Sequence, residues 1–144
     1  MIQNIRHTGI VVADLEKSLR FYTQKLGFKV SKRIDESGSF IDKILGFEHL
    51  VVTTVKMTLR DGKMIELLDF TNQKKVALER YINDIGPTHL ALTVSGLDAI
   101  YVDFINDGIK FISSPEVSPD GYAKVAFCRA PEGTFIELVE LLQD

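Results

Sequence analysis

A chain of 144 residues, 45% of them hydrophobic, is long enough for one compact unit or for two small modules that share a core. Its 17 basic and 20 acidic side chains give a net charge of −3 with the basic residues scattered, so no nucleic-acid partner is expected. Cys128 stands alone, which excludes an internal disulfide, and no apolar run approaches the roughly 20 residues that span a bilayer, so a cytoplasmic protein without a membrane partner is expected.

Taken in chain order, the elements repeat themselves. His7-Thr8-Gly9-Ile10-Val11-Val12 reads as a strand. Leu15, Leu19, Tyr22 and Leu26 then recur at helical spacing, with Asp14 placed to cap the helix and Gly27 to stop it before a β pair, Phe28-Lys29. An insertion follows, around Asp35 to Glu48, and a strand is predicted to begin at His49 in His49-Leu50-Val51-Val52-Thr53. Asp61-Gly62 reads as a turn into the apolar strand that holds Glu66. From Thr71 to Gly86 the apolar residues Val76, Leu78, Tyr81 and Ile82 predict a short linking helix.

The pattern then starts again. His89-Leu90-Ala91-Leu92-Thr93-Val94 echoes the first strand, and Leu97, Ile100, Tyr101, Phe104 and Ile105 echo the first helix. Ser95 or Asp98 is the expected cap, Gly108 the stop, and Ile109-Lys110 the β pair that follows. Glu132-Gly133 leads into a strand carrying Glu137, as Asp61-Gly62 leads into Glu66. The expected fold is α+β, two βαβββ modules spanning residues 1–70 and 87–144 around a linker helix at 71–86, all within one domain.

Strand parity places four ionisable residues together in kind. Ile10 and Val12, Leu90 and Leu92, Ile65 and Leu67, and Ile136 and Leu138 form the aliphatic faces that would sit under helices. His7, His89, Glu66 and Glu137 all point the other way. A lone carboxylate in an apolar strand costs several kcal/mol, order of magnitude, unless something compensates it. Two of only three histidines occupy equivalent places in the repeat, and so do the two glutamates. Two imidazoles and two carboxylates make a mixed nitrogen and oxygen set suited to Ni(II), Co(II), Zn(II), Mn(II) or Fe(II), and two carboxylates neutralise a divalent ion.

From Arg6-His7-Thr8-Gly9-Ile10-Val11-Val12 through Phe21-Tyr22 and Leu26-Gly27-Phe28 to Gly133-Thr134-Phe135-Ile136-Glu137-Leu138, the chain resembles the vicinal-oxygen-chelate superfamily. That group includes glyoxalase I, methylmalonyl-CoA epimerase, extradiol dioxygenases and bleomycin-resistance proteins. The resemblance implies paired modules forming a curled mixed sheet around a metal cavity with helices outside, a homodimer, and His7, Glu66, His89 and Glu137 as metal ligands. Glu66-Leu67-Leu68-Asp69-Phe70 is closer to the epimerases than to glyoxalase I, whereas Cys128-Arg129-Ala130-Pro131-Glu132-Gly133 lacks the epimerases' His-Pro pair.

The activity implied is that of a metal-dependent lyase or isomerase acting on a small molecule, moving a proton next to a metal-chelated carbonyl as glyoxalase I or methylmalonyl-CoA epimerase does. By the same resemblance Glu137 leaves the metal to act as the base, with Glu66 or a metal-bound water completing the transfer. Strand parity would aim His49 inward with Val51, Val55 and Met57, as a second base. Two other classes fit less well: a non-haem Fe(II) dioxygenase needs only two histidines and one carboxylate, and a metal-free antibiotic-binding protein needs none of the four.

Overall fold

The computed structural model describes residues 1–142. The chain divides into two compact units, Met1–Ala77 and Leu78–Asp144. Each carries its own four-stranded mixed sheet, open at both edges, with helical segments packed on it.

In the first unit β1 (Thr8–Val11) lies parallel to β4 (Met64–Asp69), and β3 (Val51–Thr58) and β2 (Lys29–Ser37) continue the sheet in the order β1-β4-β3-β2. A parallel neighbour for β1 requires a crossover, and α1 (Leu15–Arg20) supplies it. Asp14 caps this helix as expected, its Oδ1 accepting from the Lys17 N–H at 3.1 Å. The helix then widens into a π turn over Phe21–Lys25, in which the Leu26 N–H reaches the Phe21 carbonyl. The Thr23 hydroxyl donates to the Leu19 carbonyl at 2.7 Å, so the side chain takes up an acceptor that regular helix would use. Gly27, at φ +80°, ends the helix. Ile10, Val12, Leu15, Phe21, Tyr22, Phe28, Val55, Met57, Ile65 and Leu67 are buried in this unit.

The insertion at Asp35 to Glu48 forms the end of β2 and a short helix, α2 (Ser39–Leu45), closed by Gly46 in the left-handed conformation. Ile41 on this helix packs in one cluster with Leu50 and Val52. The strand predicted to begin at His49 begins instead at Val51. His49 sits in a turn at φ +56°, where its N–H donates to Asp42 Oδ2 and its carbonyl accepts from Asn72 Nδ2.

The linking helix does not form. Thr71 to Gly86 consists of turns and irregular backbone. A short helix in water needs an apolar face to bury, and here Val76, Leu78, Tyr81 and Ile82 are all exposed. Local side-chain bonds favour turns instead, such as Asp84 Oδ2 accepting from the Tyr81 N–H at 3.0 Å. Lys74 holds the start of the segment down through Asp69 at 2.9 Å and the Ala13 carbonyl at 2.6 Å.

The second unit repeats the plan with β5 (His89–Val94) parallel to β8 (Phe135–Leu141), followed by β7 (Ala123–Arg129) and β6 (Glu116–Val117). The crossover helix is α3 (Leu97–Asn106), and Gly108 at φ +79° lies just past its end. The expected β pair at Ile109-Lys110 is reduced to one bridge, Phe111 opposite Cys128. Ser113-Ser114-Pro115 interrupts the pairing, since proline has no N–H to donate, and it resumes only at Glu116.

Neither Ser95 nor Asp98 caps α3. Gly96 takes φ +72° at the cap position, and the Gly96 and Leu97 N–H groups donate to the Glu140 carboxylate at 2.7 and 3.1 Å. Asp98 instead pairs with Lys124 at 2.7 Å. A carboxylate from β8 thus satisfies two orphan donors and faces the positive end of the helix. Glu140→Ala should cost about 1–2 kcal/mol, read as a lower urea midpoint at unchanged slope; an unchanged midpoint would show that water replaces the cap at no cost.

Candidate functional site

The parity that divides the sheet faces holds in both units. In β4, Ile65 and Leu67 are buried while Glu66 between them is only partly so, and in β8 Ile136 and Leu138 are buried on either side of Glu137. His7 directly precedes β1, and His89 is the first residue of β5. The parallel ladders then set Glu66 opposite Gly9 and Glu137 opposite Ala91, each two residues beyond its histidine. Two carboxylates thus meet two imidazoles by the same construction.

The two distances agree as well. His7 Nε2 lies 3.7 Å from Glu66 Oε1, and His89 Nε2 lies 3.7 Å from Glu137 Oε2. That separation is too long for a hydrogen bond, so neither pair satisfies itself. Two donors each about 2.1 Å from a common ion can stand up to about 4.2 Å apart, which accommodates both pairs. His7 Nδ1 is buried and lacks a partner of its own. His89 Nδ1 is better held, 3.2 Å from the Thr88 hydroxyl, with the ring edge-on to Phe127 at 5.5 Å. The donor chemistry therefore fits a divalent ion. Among the described residues no group of three or more His, Cys, Asp or Glu side chains is gathered, so each unit presents a two-donor half-site.

His49 joins neither pair: it is exposed in its turn, with its backbone bound to Asp42 and Asn72. Met57, which parity would aim inward with His49, is fully buried core opposite Ile65. Sequence reasoning passed over Lys56, which stands opposite Glu66 on the same sheet face, where Phe127 stands opposite Glu137. Its signal was available in the parity of the Val51-to-Thr58 segment, which sets Lys56 apart from Val55 and Met57. Cys128 is buried, and desolvation pushes its thiol up from 9.0 to about 12, so it stays protonated and is no nucleophile at neutral pH.

A family model described as "Glyoxalase/Bleomycin resistance protein/Dioxygenase superfamily" matches residues 4–138, nearly the whole described chain and all four half-site residues. The chain belongs to the glyoxalase/bleomycin resistance protein/dioxygenase superfamily. Within this superfamily it is 31% identical over 138 residues to a protein of Synechocystis sp. named "Probable lactoylglutathione lyase", covering 93% of this chain and 92% of that one. It is 30% identical over 142 residues to the Bacillus subtilis protein YwbC, covering 97% of this chain and 99% of that one. The fold matches a crystal structure of a glyoxalase family protein from Bacillus cereus with a TM-score of 0.89 at 22% identity, covering 99% of this chain and 97% of that one. The superfamily's α+β architecture, two mixed four-stranded sheets with helices on them, is therefore that of this protein.

Proposed function

We propose that this protein is a divalent-metal-dependent, glyoxalase I-like lyase or isomerase that transfers a proton next to a carbonyl group of a small molecule. The observation that carries the proposal is the twin geometry, an imidazole Nε2 and a carboxylate oxygen 3.7 Å apart at equivalent places in two units. The Synechocystis relative's name supports it. Either pair alone offers two donors, fewer than the three or four protein ligands usual for such ions. All four of His7, Glu66, His89 and Glu137 are therefore assigned as ligands, in a homodimeric protein.

A bound Ni(II), Co(II), Zn(II), Mn(II) or Fe(II) ion would supply Lewis acidity to the substrate's carbonyl oxygen. The protein's own part is to hold and move the proton. The Glu137 carboxylate accepts it from a hydroxyl-bearing carbon next to the carbonyl and returns it to the carbonyl carbon, while the hydroxyl proton passes to the carbonyl oxygen so that carbonyl and hydroxyl exchange places. Phe127 stands opposite in the ladder as an apolar neighbour. Glu66 completes the ligand set. His7 and His89 would act as nitrogen donors through Nε2, and the Thr88 hydroxyl beside His89 Nδ1 fixes that ring's orientation.

Metal should stabilise the native state alone. After stripping with chelator, an ion present at 100 times its dissociation constant adds about 2.7 kcal/mol, so the Tm should rise by several degrees. No shift with any of the five ions, together with no bound metal by elemental analysis, would sink the proposal. In heavy water, methylglyoxal with a thiol should exchange its α-hydrogen; oxygen uptake with a catechol and no exchange would assign a dioxygenase instead.

A further inference from the structure

The second unit contains a cavity of about 330 Å³ at the place where its second strand is broken. Its floor is aromatic and its rim is charged. Phe135 and Arg129 line it from one sheet face. Phe111 and the buried Cys128, paired with each other and so on the other face, border it, with the Phe111 ring against Tyr101 and Phe104. Lys110 and Glu79 add two more charges. The Arg129 guanidinium lies 4.5 Å from the centre of the Phe135 ring, a stacked position that leaves its N–H edge available. Among the described residues neither Arg129 nor Lys110 has a carboxylate partner, so two cations face the cavity against the single carboxylate of Glu79. The volume falls at the lower end of the roughly 300–1,000 Å³ typical of small-molecule sites.

The cavity also has a fixed relation to the half-site. His89 is paired with Phe135 across the parallel ladder, and Phe135 is paired with Arg129 across the antiparallel one. Residues paired in register share a face, so His89, Phe135 and Arg129 form one row across three strands. With strands about 4.8 Å apart, Arg129 stands roughly 10 Å from His89. A short molecule could thus present one end to the His89 and Glu137 pair and the other to Arg129, with its body over Phe135.

We propose that this cavity anchors the anionic end of the substrate, which is accordingly a small carbonyl compound carrying a carboxylate on a flat, apolar body. Arg129 and Lys110 bind the carboxylate, and the body lies along the Phe135 side of the cavity. The assignment of the carbonyl end rests on the proposed metal-dependent activity; the anion-binding cavity does not. Cys128, protonated and buried, contributes only surface.

Benzoate is the probe, with benzyl alcohol as its uncharged counterpart and inorganic phosphate as an anion without the apolar body. Each is titrated into the full chain, as purified and after chelator treatment, while amide resonances are followed by NMR. Benzoate should shift Phe111, Arg129 and Phe135 saturably in both preparations, at least tenfold more tightly than benzyl alcohol or phosphate. Arg129→Gln should weaken benzoate at least tenfold, and Lys110→Gln should weaken it less, the latter being an exposed change that leaves the Phe135 stack intact. Equal affinity for benzoate and benzyl alcohol, phosphate binding as tightly as benzoate, or wild-type affinity in both variants would overturn the proposal. Because the chelator-treated protein contains no metal, failure there concerns the cavity alone and is distinct from failure of the metal-dependent activity.

Discussion

Replacing Glu137 by Gln should lower substrate proton exchange by a factor of about 10²–10⁴, the usual contribution of a positioned general base, while part of the metal stays bound. The amide keeps an oxygen that can ligate but has no basicity to accept the proton. Glu66→Gln should be milder, since there only the ligand's charge is lost. His7→Ala and His89→Ala should lose the metal outright, each deleting a nitrogen donor whose Nε2 lies 3.7 Å from its glutamate. His49→Ala should leave the metal content unchanged, given its exposed turn, and a fall in turnover would restore it to the proton relay. Exchange rates in heavy water, set beside elemental analysis of each variant, separate these outcomes. Full turnover in Glu137→Gln would remove Glu137 as the base whatever the metal content.

Ile136→Ala, one residue away, should have the opposite signature. Ile136 is fully buried, and truncating such a side chain costs about 2–5 kcal/mol through lost transfer energy and the cavity left behind. The urea midpoint should fall accordingly, while the variant that remains folded keeps its metal ligands and its proton exchange. Adjacent residues of one strand would then separate stability from chemistry. A stability loss below 1 kcal/mol would mean that the sheet relaxes into the space and that the core around β8 is less tightly packed than its burial implies.

The same alternation explains how much could be read from the sequence. Parity on Ile65-Glu66-Leu67 and Ile136-Glu137-Leu138 is strict, and it placed the glutamates on the correct face because a one-residue slip would bury both carboxylates under helices. Local chemistry was equally legible in Asp14 as a cap and in Gly27 and Gly108 as stops, since each acts within a few residues of its own position. What escaped depended on distant partners. Glu140 caps α3 from another strand, and no spacing rule connects it to Gly96. The apolar residues from Val76 to Ile82 have a helical look but no surface to bury against, and periodicity cannot supply one. The strand start was misread at His49 because the apolar run Leu50-Val51-Val52 follows it directly, whereas Asp42 and Asn72 hold its backbone in a left-handed turn two residues before the strand starts.

The order in which the chain is synthesised gives the parallel ladders a further consequence. In each unit the first strand bonds to the last, β1 to β4 and β5 to β8, so His7 and His89 emerge from the ribosome long before the glutamates they will face. The first strand of each unit has no ladder partner until the last has been made. The entropy of closing that long loop is lost before the ladder repays it. Each histidine–glutamate pair therefore depends on the ladder between its unit's first and last strands, which is the pairing of longest sequence separation in that unit. The first unit has all its strands once Asp69 has emerged, before the last strand of the second unit is made.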